Sequence, residues 1–156
     1  MAARLDFYKL APEGMAKLSA LGHYLTTATA LEPVLLDLVR LRASLMNGCE
    51  YCIKLHTVEL KKLHEPEDRI VELTDWRSSS AYTQSERAAL AWTEAVTDIQ
   101  EGHAPDEVYS QVREHFSPNE TVDLTLAIVT INAWNRMAIA LGDFPGHHGT
   151  VEAKSE

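Results

Sequence analysis

Cysteine is almost missing from this sequence: there are two in 156 residues, Cys49 and Cys52. That excludes a small secreted scaffold held by several disulfides. Basic residues are also scarce, with 14 Lys and Arg against 23 Asp and Glu and a formal net charge of −9. A chain this acidic is a poor match for a phosphate backbone or an anionic membrane, so neither nucleic acid nor membrane is expected as a partner. Seven Gly and six Pro are too few for a disordered or fibrous chain. No apolar run approaches the ~20 uninterrupted residues of a membrane span. Residues 1–6 contain no apolar segment of a secretory signal, so a reducing cytoplasmic setting is expected. No stretch alternates apolar and polar residues for long enough to make a strand.

What remains is helical pattern. With 46% hydrophobic and 24% charged residues, the chain suits one globular domain with a single substantial core. Pro12 opens a helix carrying Met15, Leu18, Leu21 and Leu25, which fades in Thr26–Thr27–Ala28–Thr29. Pro33 starts the next, running through Leu35, Leu38, Val39, Leu41 and Leu45 to a break at Asn47–Gly48. A third helix is expected over about 49–64 with Cys49 in its first turn, then a short one after Pro66 and a loop at 75–80. Thr83 with Glu86 and Ser117 with Glu120 each form a capping box, in which side chains and backbone N–H groups of a helix start satisfy each other. The first opens a helix through Ile99 that Gly102 is expected to end, and Pro105 opens the one after it. The second box opens the last helix, which is apolar on nearly every face over 124–131 yet carries Asp123, Asn132, Asn135 and Arg136. Such a helix is buried, and in a domain this small a second subunit is expected to help bury it. The polar trio Asn132, Asn135 and Arg136 belongs either in that interface or near the site. The domain is expected over residues 1–145, with a tail at 146–156 whose His147 and His148 receive no role.

The sharpest local feature is Cys49-Glu50-Tyr51-Cys52-Ile53-Lys54-Leu55-His56. Residues three, four and seven apart share a helix face, so Cys49, Cys52 and His56 stack on one side. A free cysteine, with a pKa of about 8.5, is mostly protonated at neutral pH and needs help to become a nucleophile. The positive end of the helix favours a thiolate at Cys49, while His56 is placed to take the proton of Cys52. Spacing alone leaves open which sulfur attacks. A zinc site is the competing chemistry, with Cys49, Cys52, His56 and then His64 as ligands, although one continuous helix seldom wraps an ion. A c-type haem is excluded, because Ile53 stands where a histidine must follow the second cysteine. Tyr51 either donates a hydrogen bond at a pocket mouth or simply packs. Glu50 and Lys54 read as solvated; His23, His103 and His115 as surface or capping residues; Trp76, Trp92 and Trp134 as core or interface anchors.

The segment 38–52, followed by His56, resembles the core of the AhpD-like alkylhydroperoxidases of the carboxymuconolactone decarboxylase-like superfamily. Asp6-Phe7-Tyr8, Trp76-Arg77, the helix from Ser85 to Ala95 and Ile131-Asn132-Ala133-Trp134-Asn135-Arg136 extend the resemblance over residues 6–145. It implies an all-α bundle with helices packing across subunits in a trimer or hexamer. It also implies thiol-dependent reduction of peroxides, with Cys52 as the peroxidatic thiol, Cys49 as the resolving thiol and His56 in the proton relay. No cofactor is implied beyond the Cys49/Cys52 couple, which an external dithiol protein reduces. The family's relay has a Glu twelve residues before the first cysteine. Here that position is Asp37, one methylene shorter; either the preceding helix turns it toward His56, with or without a bridging water, or it stands as a solvated carboxylate in the second turn of that helix. A redox-sensing or disulfide-exchange protein without turnover and a lactone-acid decarboxylase are the competing functions; the cysteine pair argues against the decarboxylase.

Overall fold

A computed structural model describes residues 4–142, and the tail with His147 and His148 lies outside them. The described residues form eight α-helices: α1 Phe7–Leu10, α2 Pro12–Thr27, α3 Pro33–Asn47, α4 Glu50–Lys62, α5 Glu67–Glu72, α6 Gln84–Thr97, α7 Asp106–His115 and α8 Pro118–Leu141, with a 3₁₀ turn at Leu73–Asp75. The fold is all-α, as the missing strand pattern requires. Both capping boxes form as read: Thr83 and Ser117 each accept from the N–H three residues on, and Glu86 and Glu120 reach back.

Three local expectations need correction. The short helix α1 went unforeseen; Asp6 caps it by accepting from the Lys9 N–H at 3.0 Å. α6 stops at Thr97 rather than Gly102, because Asp98 already leaves helical geometry. Ile99 therefore lies beyond the helix and is exposed, and Gly102 instead supplies a left-handed residue (φ 80°) to the loop before α7. Cys49 is the N-cap of α4 rather than a residue of its first turn.

α3 lies at the centre, packed on α4, α6 and α8. It buries apolar side chains toward two clusters. Leu36 and Val39 join Leu25, Trp92, Val112, Phe116, Leu124 and Ile128. Leu38 and Leu41 join Leu60, Leu73, Trp76 and Leu90. Each fully buried leucine contributes roughly 1.5–3 kcal/mol, so α3 anchors most of the core. α8 is long and apolar enough to cross a membrane by length and composition alone. Its buried Leu124, Ala127, Ile128 and Ile131 are instead core, and its buried Asn132 and Asn135 have protein partners.

One polar knot ties the second cluster together. Glu94 on α6 accepts from Arg42 Nε (2.9 Å) on α3 and from Trp76 Nε1 (2.8 Å), and pairs with Arg77. Burial by itself would raise the Glu94 pKa. The hydrogen bonds from Arg77 and Trp76 and the charges of Arg42 and Arg77 outweigh it and hold the carboxyl below its usual value. A depressed carboxyl stabilises the fold above its unfolded value, about 4.3, and loses that contribution as pH falls through the folded one. Glu94→Gln is therefore expected to cost about 2 kcal/mol at pH 7 and to flatten the acid limb of stability against pH, measured by urea unfolding from pH 3 to 7. An unchanged acid limb would show that this knot carries no proton linkage.

Candidate active site

The site is built at the junction of α3 and α4. Gly48 takes the left-handed conformation at φ 68°, which a side chain would strain, and ends α3. The Cys49 N–H donates to the Ser44 carbonyl at 3.1 Å, so the chain reverses at once into α4. With Cys49 at the N-cap, Cys52 becomes the third residue of α4. N-cap and third-position side chains face each other across a helix start, the same proximity that a capping box uses. The two Cα atoms are 5.3 Å apart and the sulfurs are joined in a disulfide, a separation that needs no backbone movement. Both sulfurs therefore sit where helix N–H groups and the positive dipole end favour negative charge.

Cys49 and Cys52 are 2% and 3% exposed, and His56, one turn on, is 8% exposed. His56 Nδ1 lies 3.0 Å from Asp37 Oδ1. The bond is direct, so the shorter Asp side chain needs no bridging water. α3 supplies the missing reach: Asp37 sits on its buried middle and is itself 8% exposed, rather than on a solvated face. A carboxylate oxygen accepts, so Nδ1 carries a proton, and in a neutral imidazole the lone pair is then on Nε2. Arg40 Nη1 approaches the same Asp37 oxygen at 3.3 Å, and its other terminal nitrogen donates to Thr26 Oγ1 at 3.3 Å. A cation and an imidazole N–H thus share one carboxylate oxygen.

The sulfurs lie in a small cluster with Ala43, Ile131 and Ala138, against which Tyr51 and Trp134 pack. Tyr8 of α1 stacks on Trp134 with ring centroids 6.2 Å apart. Burial, and then the nearby Tyr51 phenol, push the Tyr8 hydroxyl up to about 12, so it stays protonated across the physiological range. The sequence reading had Tyr51 and Trp134 in view but not Tyr8 as their neighbour; a tyrosine 41 residues before the first cysteine carries no local signal of that contact. Glu50, Lys54, His23, His103 and His115 are exposed, as read. Trp76 and Trp92 are core residues. His64, the fourth ligand of the zinc alternative, is exposed beyond the end of α4 at φ 63°. Among the described residues no group of three or more His, Cys, Asp or Glu side chains is arranged to hold a metal ion.

Asn132 and Asn135 are also resolved by the packing: both are buried and reach Asn47, the residue before Gly48.

Residues 12–95, more than half of the chain, match the model of the carboxymuconolactone decarboxylase family. The chain belongs to that family. The chain is 40% identical over 143 residues to the uncharacterised protein YdfG of Bacillus subtilis, covering 92% of this chain and 97% of the relative. A solved structure from Agrobacterium tumefaciens, described as a protein of unknown function and a candidate antioxidant defence protein AhpD, superposes with a TM-score of 0.87 at 38% identity. That match covers 97% of this chain and all of the other. The debrominase Bmp8 shares the fold, with a TM-score of 0.78 at 18% identity over 87% of this chain and 73% of its own. The protein is thus an AhpD-like member of the carboxymuconolactone decarboxylase-like superfamily.

The His56–Asp37 bond makes a spectroscopic prediction. Neutral His56 is expected as the Nδ1–H tautomer in ¹⁵N NMR, and Asp37→Ala is expected to shift it toward Nε2–H while the fold persists. A tautomer unaffected by that substitution would show that the bond does not orient the ring.

Proposed function

We propose that this protein is a thiol-dependent peroxidase of the alkylhydroperoxide-reducing type, with Cys52 as the attacking thiol. The observation that carries the reading is the buried His56–Asp37 pair one helical turn after the buried Cys52: with Nδ1 donating to Asp37, the Nε2 of a neutral His56 is left to act as base. Asp37 orients the imidazole and stabilises the imidazolium that forms when Nε2 takes the Cys52 proton.

The Cys52 thiolate attacks one oxygen of ROOH. The O–O bond breaks, Cys52–S–OH forms, and the departing alkoxide takes a proton to give ROH. Cys49 then attacks the sulfenic sulfur; the S–S bond forms and hydroxide leaves, protonated to water. Two thiols have lost two electrons and the peroxide has gained them. A dithiol protein closes the cycle by exchange, reducing Cys49–Cys52 while becoming a disulfide itself. N-cap and third-position geometry supports the second step, because it places Cys49 within disulfide reach of Cys52. No cofactor is required. The chemistry suits the reducing cytoplasm, where a dithiol donor is at hand.

A homo-oligomer, trimer or hexamer, belongs to the same proposal. Val122, Val129 and Ile139 lie exposed on α8, the most apolar helix, and a second copy would cover them. A redox sensor without turnover would use the same couple but stop after one oxidation.

Mixing reduced protein with an alkyl hydroperoxide and a dithiol reductant separates these readings. Multiple turnovers are expected. Cys52→Ser is expected to abolish peroxide consumption, and Cys49→Ser to accumulate a sulfenic acid on Cys52, detected by dimedone labelling and mass spectrometry. His56→Ala is expected to lower the rate of Cys52 oxidation by about 10²-fold. Sulfenic acid on Cys49 would reverse the assignment, and both thiols surviving peroxide in folded protein would remove the peroxidase reading.

A further inference from the structure

The polar residues that interrupt α8 find their use at the turn that carries Cys49. Asn47 Nδ2 donates to Asn132 Oδ1 (2.9 Å), Asn135 Oδ1 (2.9 Å) and the Ala43 carbonyl (3.0 Å). Three acceptors thus converge on the two protons of one amide. The facing amides are held in the right orientation from behind. Asn132 Nδ2 donates to the Ile128 carbonyl and Thr97 Oγ1, both at 2.9 Å, so its oxygen must face Asn47. Asn135 Nδ2 donates to Ser44 Oγ at 3.1 Å, whose own proton goes to the Arg40 carbonyl. Arg136 Nη1 adds a charge-assisted bond to Asn132 Oδ1 at 2.9 Å.

This is more than the end of a helix requires. The N–H groups of Gly48 and Cys49 already take the Leu45 and Ser44 carbonyls in the last turn of α3. Asn135 is fully buried, and burying so much amide is costly unless every group is paired and the arrangement is wanted. What the network fixes is Asn47, two residues before Cys49, against a rigid core helix.

We propose that Asn47, Asn132 and Asn135 form a positioning clamp that holds the Cys49 backbone in disulfide-forming register with Cys52, and so sets the redox equilibrium of the couple. The clamp rests on the reading of Cys49 and Cys52 as a redox couple, but not on peroxide as its oxidant. Two thiols held in register have a high effective concentration toward each other, which favours the disulfide. A loosened turn lowers that concentration and makes the disulfide easier to reduce. None of the three asparagines is a catalytic residue; they act through the backbone of the turn.

The test is the exchange of the Cys49–Cys52 disulfide with dithiothreitol, in which the protein gains two thiol protons and two electrons and dithiothreitol closes to its cyclic disulfide. Fractions are read after acid quench and alkylation, by mass shift, over a series of dithiothreitol ratios. Asn47→Asp turns the shared donor into a carboxylate facing three acceptor oxygens. It is expected to shift the equilibrium toward the dithiol by about tenfold, equivalent to about 30 mV. Asn132→Ser removes one acceptor while Asn135 remains, is expected to shift it in the same direction by a smaller factor, and stands in should Asn47→Asp fail to fold. Trp92→Phe serves as the comparison, because it loses a partly buried hydrogen bond to Thr125 in a core cluster separate from that of the cysteines. It is expected to lower the unfolding midpoint while leaving the equilibrium within twofold of wild type. Folded asparagine variants with a wild-type equilibrium would overturn the clamp. A wild-type protein that does not interconvert at all would overturn the redox couple itself, a distinct result.

Discussion

α3 has no solvent side over its middle turns, because α4, α6 and α8 all pack on it, and the polar groups it carries must find partners inside the protein. Buried polar groups without partners are costly enough to unfold a marginally stable domain. Each polar residue of α3 accordingly marks a connection. Asp37 turns to His56 of α4, Arg42 to Glu94 of α6, Ser44 to Asn135 of α8, and Asn47 to both buried asparagines of α8. The core and the candidate site are therefore one construction. Leu36, Leu38, Val39 and Leu41 set the depth and rotation of the helix, and the polar residues between them are aimed by that rotation.

The substitution of Asp for Glu in the relay position follows from the same constraint. A shorter side chain suffices when the helix that bears it is pressed against its partner. The direct 3.0 Å contact shows that α3 and α4 approach closely at Asp37 and His56, well away from the break at Gly48. Arg40 on the same oxygen keeps a cation beside a carboxylate that is otherwise nearly out of water. Charge-assisted bonds of this kind are stronger than neutral ones and more demanding of geometry. The Asp37 carboxylate is thus held from both sides, by Arg40 on its own helix and by His56 across the interface.

Much of this was legible in advance, for identifiable reasons. The two capping boxes are local chemistry, complete within four residues, and they formed as read. The same-face stacking of Cys49, Cys52 and His56 follows from 3.6 residues per turn, whatever packs around it. The end of α6 was misread because Gly102 is a strong stop signal, whereas Asp98 ends the helix through backbone geometry that composition does not announce. Cys49 was placed one position too deep in α4, because the left-handed Gly48 requires a further extended residue before a new helix can start. The neighbours Tyr8 and Trp134 come from opposite ends of the chain, and no short-range pattern connects them.

The sequence by itself determined most of the helices, the two capping boxes, the apolar character of α8 and the order of the sulfur and imidazole groups along one face. These rest on interactions between residues a few positions apart, whose geometry the backbone fixes. Tertiary structure alone decided that Asp37 is a buried partner of His56 rather than a solvated carboxylate. It alone decided that Asn132 and Asn135, which merely interrupt an apolar pattern in the sequence, close on Asn47 beside the cysteines. Such pairings span 19 to 88 residues. They exist only because burying the apolar faces of α3 and α8 against each other leaves those amides no water to turn to.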